Sequence, residues 1–236
     1  MKQKRSNIRV ICRLTVVFLL MNIPQVEGAP LYQIDEILPI SSGHDRTVAT
    51  GINDIGQVVG TSFSSSGAYD ASPTRAFMWQ AGTTINLGDL PGEPDFSFGR
   101  SINNAGWIVN SSGQSGIENA PYSTHPFERA FLWHDGIMEN LGYPPGFGAS
   151  NTQAIAINNT GQVIGNVPFI WQNGVISGLR DLSTEGMVVT VTDINDHGQI
   201  VGYGNQGGFA ISGVLIQDSA VTFIDNLPGD PDPGLD

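Results

Sequence analysis

One ten-residue pattern occurs four times in this chain: GINDIGQVVG at Gly51–Gly60, SINNAGWIVN at Ser101–Asn110, AINNTGQVIG at Ala156–Gly165 and DINDHGQIVG at Asp193–Gly202. A chain written in copies of one short unit cannot bury the apolar face of each copy alone, so the copies must stack on one another. The Ile-Asn pairs begin at 52, 102, 157 and 194, giving spacings of 50, 55 and 37. Irregular spacing predicts similar units carrying loops of unequal length.

Each copy reads as a β-hairpin. In Asn53-Asp54-Ile55-Gly56 the Asn and Gly occupy the first and fourth positions of a type I turn, where Asn accepts a local backbone bond and Gly takes the left-handed exit. The same pair recurs at Asn103/Gly106, Asn158/Gly161 and Asn195/Gly198. The flanking runs, such as Gln57-Val58-Val59 and Gln199-Ile200-Val201, have strand composition. A second motif follows the first three copies: AFMWQAG (Ala76–Gly82), AFLWHDG (Ala130–Gly136) and PFIWQNG (Pro168–Gly174). Its Phe and Trp alternate with other residues, so both face one side of a strand. Asp135-Gly136 and Asn173-Gly174 are hairpin turns. In the fourth unit Phe209 and Ile211 are expected at the Phe and Trp places. A third element closes each unit: INLGDLPG, MENLGYPPG, ISGLRDL and FIDNLPG.

Four short strands per unit, with no helical period after residue 28, predict an all-β fold of repeated four-stranded antiparallel units, β-propeller-like. The aromatic pairs would fill the space between neighbouring blades. A stacked β-solenoid or an open sandwich remains as the alternative. The units are expected at about 40–92, 93–146, 147–183 and 184–231, inside a β-repeat domain of residues 29–236.

The combination of A-F-[LM]-W-x-x-G, L-G-x-L-P-G and I-N-x-x-G-Q-V-V-G resembles the extracellular HAF-repeat family of bacteria, over residues 31–231. Arg75-Ala76-Phe77 and Arg129-Ala130-Phe131 stand where that family has His-Ala-Phe, and the third copy has Val167-Pro168-Phe169. The resemblance implies an exported protein, in a family where many members carry a PEP-CTERM-type sorting tail. It brings no enzymatic activity and no catalytic residues.

The amino terminus points to the same address. Lys2, Lys4, Arg5, Arg9 and Arg13 precede a short apolar run, Leu14–Ile23, and Val26 and Gly28 suit the small positions before a cleavage site. This is the layout of a secretory signal peptide over residues 1–28, too short in its apolar part for a span of about 20 residues. No membrane span is therefore expected after cleavage. The whole chain has 10 basic and 22 acidic residues. With the signal removed, 208 residues remain, holding five Arg, no Lys and no Cys against 21 acidic residues, a formal charge of −16. Such a surface excludes nucleic acid and anionic membrane as partners, since both require clustered cations. The missing cysteines exclude a disulfide scaffold and a cysteine-based zinc cluster. The expected location is secreted, periplasmic or at the cell surface of a bacterium.

Tyr32–Pro39 looks like a further copy of the third element, standing before the first full unit. The last residues, Leu227–Asp236, parallel Leu90–Gly99, after which another Ile-Asn soon follows. These two observations predict a truncated product whose next unit lies past Asp236, the alternative being an open four-unit array.

Motifs of chemistry are scarce. No G-x-S-x-G elbow, HExxH or phosphate-cradling loop occurs. His44, His125, His134 and His197 share no repeat position, and the last two are expected in solvated turns. No catalytic, cofactor or metal residues are assigned on this basis. Asp230, Asp232 and Asp236 are the one candidate for calcium, although prolines interrupt them and the EF-hand pattern is absent. The segments between second and third strands enclose 16 residues (Gly60 to Phe77) and 20 (Asn110 to Phe131), against 3 before Phe169 and 6 before Phe209. Insertions at one place in a repeat lie on one face, and such faces bind. Tyr69, Tyr122 and His125 would be the aromatics there, suited to stacking on a sugar or peptide.

These readings converge on an exported repeat protein with a non-catalytic binding or structural role, its partner an extracellular glycan, peptide or surface component. The alternatives are a propeller-type enzyme (lyase or glycosidase) and a non-functional truncated fragment. An enzyme would gather His and Asp at the inner ends of the first strands, whereas those ends offer Thr50-Gly51, Arg100-Ser101, Ile155-Ala156 and Thr192-Asp193.

Overall fold

The computed structural model describes residues 34–41, 43–65, 74–92, 96–114, 127–146, 151–179, 187–206 and 211–224. Residues 1–28, Tyr69, Tyr122, His125, Phe209 and the Asp230–Asp232–Asp236 cluster lie outside the described residues. The described residues contain sixteen strands: β1 (Arg46–Ile52), β2 (Val58–Phe63), β3 (Arg75–Gln80), β4 (Thr83–Gly88), β5 (Phe96–Ile102), β6 (Ile108–Gln114), β7 (Phe127–His134), β8 (Ile137–Asn140), β9 (Ala154–Ile157), β10 (Val163–Gly165), β11 (Phe169–Gln172), β12 (Val175–Gly178), β13 (Met187–Ile194), β14 (Ile200–Gln206), β15 (Ser212–Gln217) and β16 (Ala220–Ile224). They form four separate sheets of four antiparallel strands, each a simple meander in chain order. No helix occurs among the described residues, so the fold is all-β and repeated.

The turn chemistry explains why each unit starts the same way. Gly56, Gly106, Gly161 and Gly198 have φ of 77°, 78°, 79° and 76°, and each N–H donates to the Asn carbonyl three residues earlier at 3.0–3.1 Å. The Asn side chain does a second job. Its Oδ1 accepts the backbone N–H four residues on, as with Gln57 to Asn53 at 2.9 Å and Trp107 to Asn103 at 3.0 Å. No other side chain of that length offers both this acceptor and a free amide donor.

Strand pairing then sets which side chains share a face. Ile108 pairs with Trp133 and Asn110 with Phe131, so these aromatics face the first sheet. There they join Val59, Ala76, Met78, Leu87 and Ile102 in one apolar cluster. On the opposite face of the same sheet Val109, Ala130 and Leu132 meet Ile157, Val163, Phe169 and Trp171 of the third sheet. Ala156 and Ile164 continue to Val191, Ile194, Ile200 and Ile216 of the fourth. Consecutive sheets thus pack face to face, with an apolar layer at each of three junctions. Phe131 and Phe169 are fully buried, each burial stabilising by about 1.5–3 kcal/mol. The edge strands β1, β5, β9 and β13 pack successively along one side.

The fourth unit departs from its sequence expectation. Gly202 pairs with Val214 and Ile200 with Ile216, the places held elsewhere by Phe and Trp. Val214 and Ile216, not Phe209 and Ile211, therefore fill those positions, and Ile211 is exposed. The reason is register: alternation in sequence names a strand, but only cross-strand pairing fixes its alignment with the other copies.

The segment before β1 forms no strand over residues 34–40, and its contacts align Ile40, not Leu38, with Leu90 of the first closing element. The Ile40 amide donates to Ser62 Oγ at 3.3 Å, as the Leu90 amide donates to Ser112 Oγ at 3.1 Å one unit later. Likewise Thr47 Oγ1 donates to the Ile37 carbonyl and Ser97 Oγ to the Gly88 carbonyl. At the two ends of the array, repeat positions buried elsewhere are open. Ile52 is 70% exposed, whereas its counterparts Ile102, Ile157 and Ile194 are 7–8% exposed; Val201 is 41% exposed, whereas Val59, Val109 and Ile164 are at 0%.

Candidate functional site

The four edge strands share one irregularity. In β1, β5, β9 and β13 the pairing register shifts at the same repeat position, leaving Thr50, Arg100, Ile155 and Thr192 as the extra, unpaired residue. Such a bulge bends the strand and re-aims the side chain it carries. Beside the bulges of β1 and β5 lies a groove of about 510 Å³. It centres on β5.

Three sheets contribute to it. Thr50 and Thr61 come from the first sheet, Phe98 to Arg100, Asn110, Ser111 and Glu128 from the second, and Gln153 from the start of the third. An edge strand leaves backbone groups without ladder partners. Here the first sheet supplies them with side chains: Thr50 Oγ1 donates to the Gly99 carbonyl at 2.8 Å, and the Gly99 amide donates to Thr61 Oγ1 at 3.3 Å. This fixes β5 against its neighbour and makes one wall rigid.

The groove exists because the second unit breaks the pattern of the others. Gly99 pairs with Asn110, whereas the equivalent pairs are Ala49 with Gly60, Ala154 with Gly165, and Val191 with Gly202. Glycine on the second strand is demanded by close packing elsewhere: a Cβ at Gly165 would lie 1.9 Å from the Phe169 ring and one at Gly202 2.0 Å from the Thr190 carbonyl oxygen. In the second unit the glycine has moved across to β5, where a Cβ would lie 2.6 Å from Val59. The partner position is thereby freed for an amide side chain.

The polar groups here are unusual for their burial. Glu128 is 3% exposed and Ser111 1% exposed. Gln153 Nε2 donates to Glu128 Oε2, and the Thr152 amide donates to the Glu128 carbonyl at 3.1 Å. Asn110 Oδ1 and Ser111 Oγ are buried and have no hydrogen-bond partner among the described residues. An unpaired buried polar atom costs about 1–3 kcal/mol, and the two lie on opposite faces of β6, Asn110 beside Phe131 towards the first sheet and Ser111 beside Ala130 towards the third. Arg100 is exposed at the groove, and Phe98, half-buried, lies with its ring centroid 5.4 Å from that of Phe96.

The histidines are dispersed. His44 is buried and its Nδ1 lies 2.8 Å from Ser62 Oγ. His134 ends β7, not a turn; it is half-buried, 5.3 Å from the Trp107 ring and 3.1 Å from Asp135. His197 is exposed in its turn, as its sequence suggests. No group of three or more His, Cys, Asp or Glu among the described residues is placed to hold a metal ion. Motif searching missed the groove residues because none belongs to a known catalytic pattern. Comparison of the copies with each other contains the signal: Asn110 stands where the other three have glycine.

No protein-family model matches this chain, and no curated protein shows significant similarity to it.

Proposed function

We propose that this chain is an exported bacterial β-repeat protein, its four sheets acting as blades of a propeller-type array with a non-catalytic binding role at the cell surface, in the periplasm or in the extracellular matrix. The observation that carries the binding role is the groove at β5, lined by Thr50, Phe98, Arg100, Glu128 and Gln153, with Arg100 exposed on the bulge. Such a lining favours capture of a polar ligand over chemical turnover, because its single carboxylate, Glu128, has no second acid or histidine beside it among the lining residues. Export is supported by the basic start, short apolar run and small residues of the first 28 positions, and by the resemblance to HAF-repeat proteins.

Fractionation of the native host tests this reading. The expected result is a chain lacking residues 1–28 in the periplasmic, surface or culture fraction, retained by isolated cell-envelope or matrix material. A cytoplasmic chain that keeps its first residues overturns it.

A further inference from the structure

We infer that the two ends of the sheet array are the two halves of one junction, and that a second copy of this chain docks head to tail, its first sheet against the outer face of the fourth. This goes beyond the ligand-binding role proposed above and does not rest on it.

The internal junctions follow one plan. A β-branched residue on the second strand of one unit packs with residues at three fixed repeat positions of the next. Val109 packs with Ala154, Ile157 and Val163, and Ile164 with Val191, Ile194 and Ile200. In the first junction Val59 packs with Ile102 and Ile108, and a Cβ at Gly99 would lie 2.6 Å from it. The chain holds one further set of each half. Val201 is the β-branched residue of the last unit, and Ala49, Ile52 and Val58 hold the receiving positions of the first. Both halves are open. Val201 and Ile52 are exposed, and so is Ala49, where Gly99, Ala154 and Val191 are buried. Val58 is half-buried, where Ile108, Val163 and Ile200 are buried. Tyr203, two residues from Val201 on the same face of β14, is exposed where Thr61 and Ser111 are buried.

The hydrogen-bonding groups end in the same complementary way. Asn53, Asn103 and Asn158 each donate Nδ2 to the carbonyl of the equivalent Asn in the next unit. Among the described residues Asn195 Nδ2 reaches only Gln199, and the Asn53 carbonyl accepts only the Gly56 amide of its own turn. One end thus presents a donor and the other an acceptor. One residue further on, the amides of Asp54, Asn104 and Asn159 donate to side-chain oxygens of Asn104, Asn159 and Asp196. The same step at the seam sets the Asp196 amide on the Asp54 carboxylate of the second copy.

A second copy is selected over an unrelated partner because each end matches the other in apolar residues and in hydrogen-bond polarity, as three internal junctions already do. Such a contact is heterologous, using a different patch on each copy. Charge limits its strength. Each internal junction brings at most one carboxylate to the second set of bonds, whereas the seam brings two, Asp196 and Asp54. Like charges set against each other weaken association.

The test is analytical ultracentrifugation at about 1–200 μM of the chain as its native host delivers it, in the form that fractionation identifies. The expected result is a concentration-dependent species larger than the monomer. Ile52→Asp and Val201→Asp each place a charge on one end and are expected to weaken self-association at least about tenfold. Both positions are exposed in the single copy, and unchanged circular-dichroism melts at the lowest concentration verify folding. An equimolar mixture of these two variants forms a heterodimer, because each keeps the end that the other has lost. Asp54→Asn removes one carboxylate, keeps an acceptor, and is expected to tighten association at least about threefold. A monomer at every concentration in both wild type and Asp54→Asn overturns the inference. So does assembly that only one of the two end substitutions disrupts, which marks a two-fold symmetric contact, or a mixture that stays monomeric.

Discussion

The side-chain amide of Asn103 donates to the main-chain carbonyl of Asn158 at 3.1 Å, across 55 residues of sequence. It is one rung of a ladder. Asn53 Nδ2 donates to the Asn103 carbonyl at 2.9 Å, and Asn158 Nδ2 to the Asn195 carbonyl at 2.8 Å. A parallel ladder runs through the next residues: the amides of Asp54, Asn104 and Asn159 donate to the carboxamide or carboxylate oxygens of Asn104, Asn159 and Asp196. The motif that makes each turn therefore also joins it to the next unit. One residue type serves both because its side chain accepts within the turn and donates outside it.

Removing a central rung leaves the neighbouring buried carbonyl short of a donor and deprives the turn of its own acceptor. Asn103→Ala is expected to lower the unfolding free energy by about 2–3 kcal/mol in urea titrations. Asn195→Ala is expected to cost less, because the Asn195 amide reaches Gln199 within its own exposed turn and no neighbouring unit among the described residues. Equal losses at the two sites would show that the ladder does not join the sheets.

The close-packed glycines give a second prediction. Gly165→Ala places a Cβ 1.9 Å from the Phe169 ring and 2.6 Å from the Gln153 carbonyl oxygen, both fixed in the second junction. Overpacking of this severity costs about 3 kcal/mol or more. Gly43→Ala meets nothing within 4 Å and is expected to leave the melting temperature unchanged. Thermal melts of the two variants side by side make the comparison.

Large-to-small substitution separates the canonical aromatic junctions from the fourth unit. Phe169→Ala empties a fully buried site between the second and third sheets and is expected to destabilise by about 3–5 kcal/mol. Val214→Ala, at the equivalent place in the last sheet, removes two methyl groups and is expected to cost about 1–2.5 kcal/mol. Chemical denaturation measures both.

Acid sensitivity follows from Asp196. The Asn159 side-chain amide and then its backbone amide donate to this carboxylate, and together they hold its pKa below the ordinary aspartate value. A depressed folded pKa contributes stability above the unfolded value and loses it as pH falls through the folded one. The loss therefore falls below about pH 4. Between about pH 5 and pH 2 the wild-type melting temperature should decline more steeply than that of Asp196→Asn. Parallel declines would remove Asp196 from the acid response.

Much of the fold was legible from local chemistry. The Asn and Gly of each turn and the alternating Phe and Trp of the first three units depend on neighbours a few residues away, and each is found where those patterns place it. The fourth unit was misaligned because Phe209 and Ile211 imitate the motif, while the pairing of β14 with β15 puts Val214 and Ile216 in register. Trp107 stands where the other three copies have glutamine. In space it meets His134, where other units pair two glutamines, as Gln57 with Gln80 and Gln199 with Gln217. That exchange of partners couples residues 27 apart and has no local signature.

The sequence by itself determined the strands, the turns and the number of repeated units, because hydrophobic alternation and turn residues act over a few bonds of chain. Tertiary structure alone decided which faces meet, where the edge strands bulge, and that Gly99 and Asn110 exchange roles to open a polar groove beside buried Glu128. Those outcomes depend on cross-strand register and on sheet-to-sheet distance, quantities fixed only when residues far apart in the chain compete for the same space.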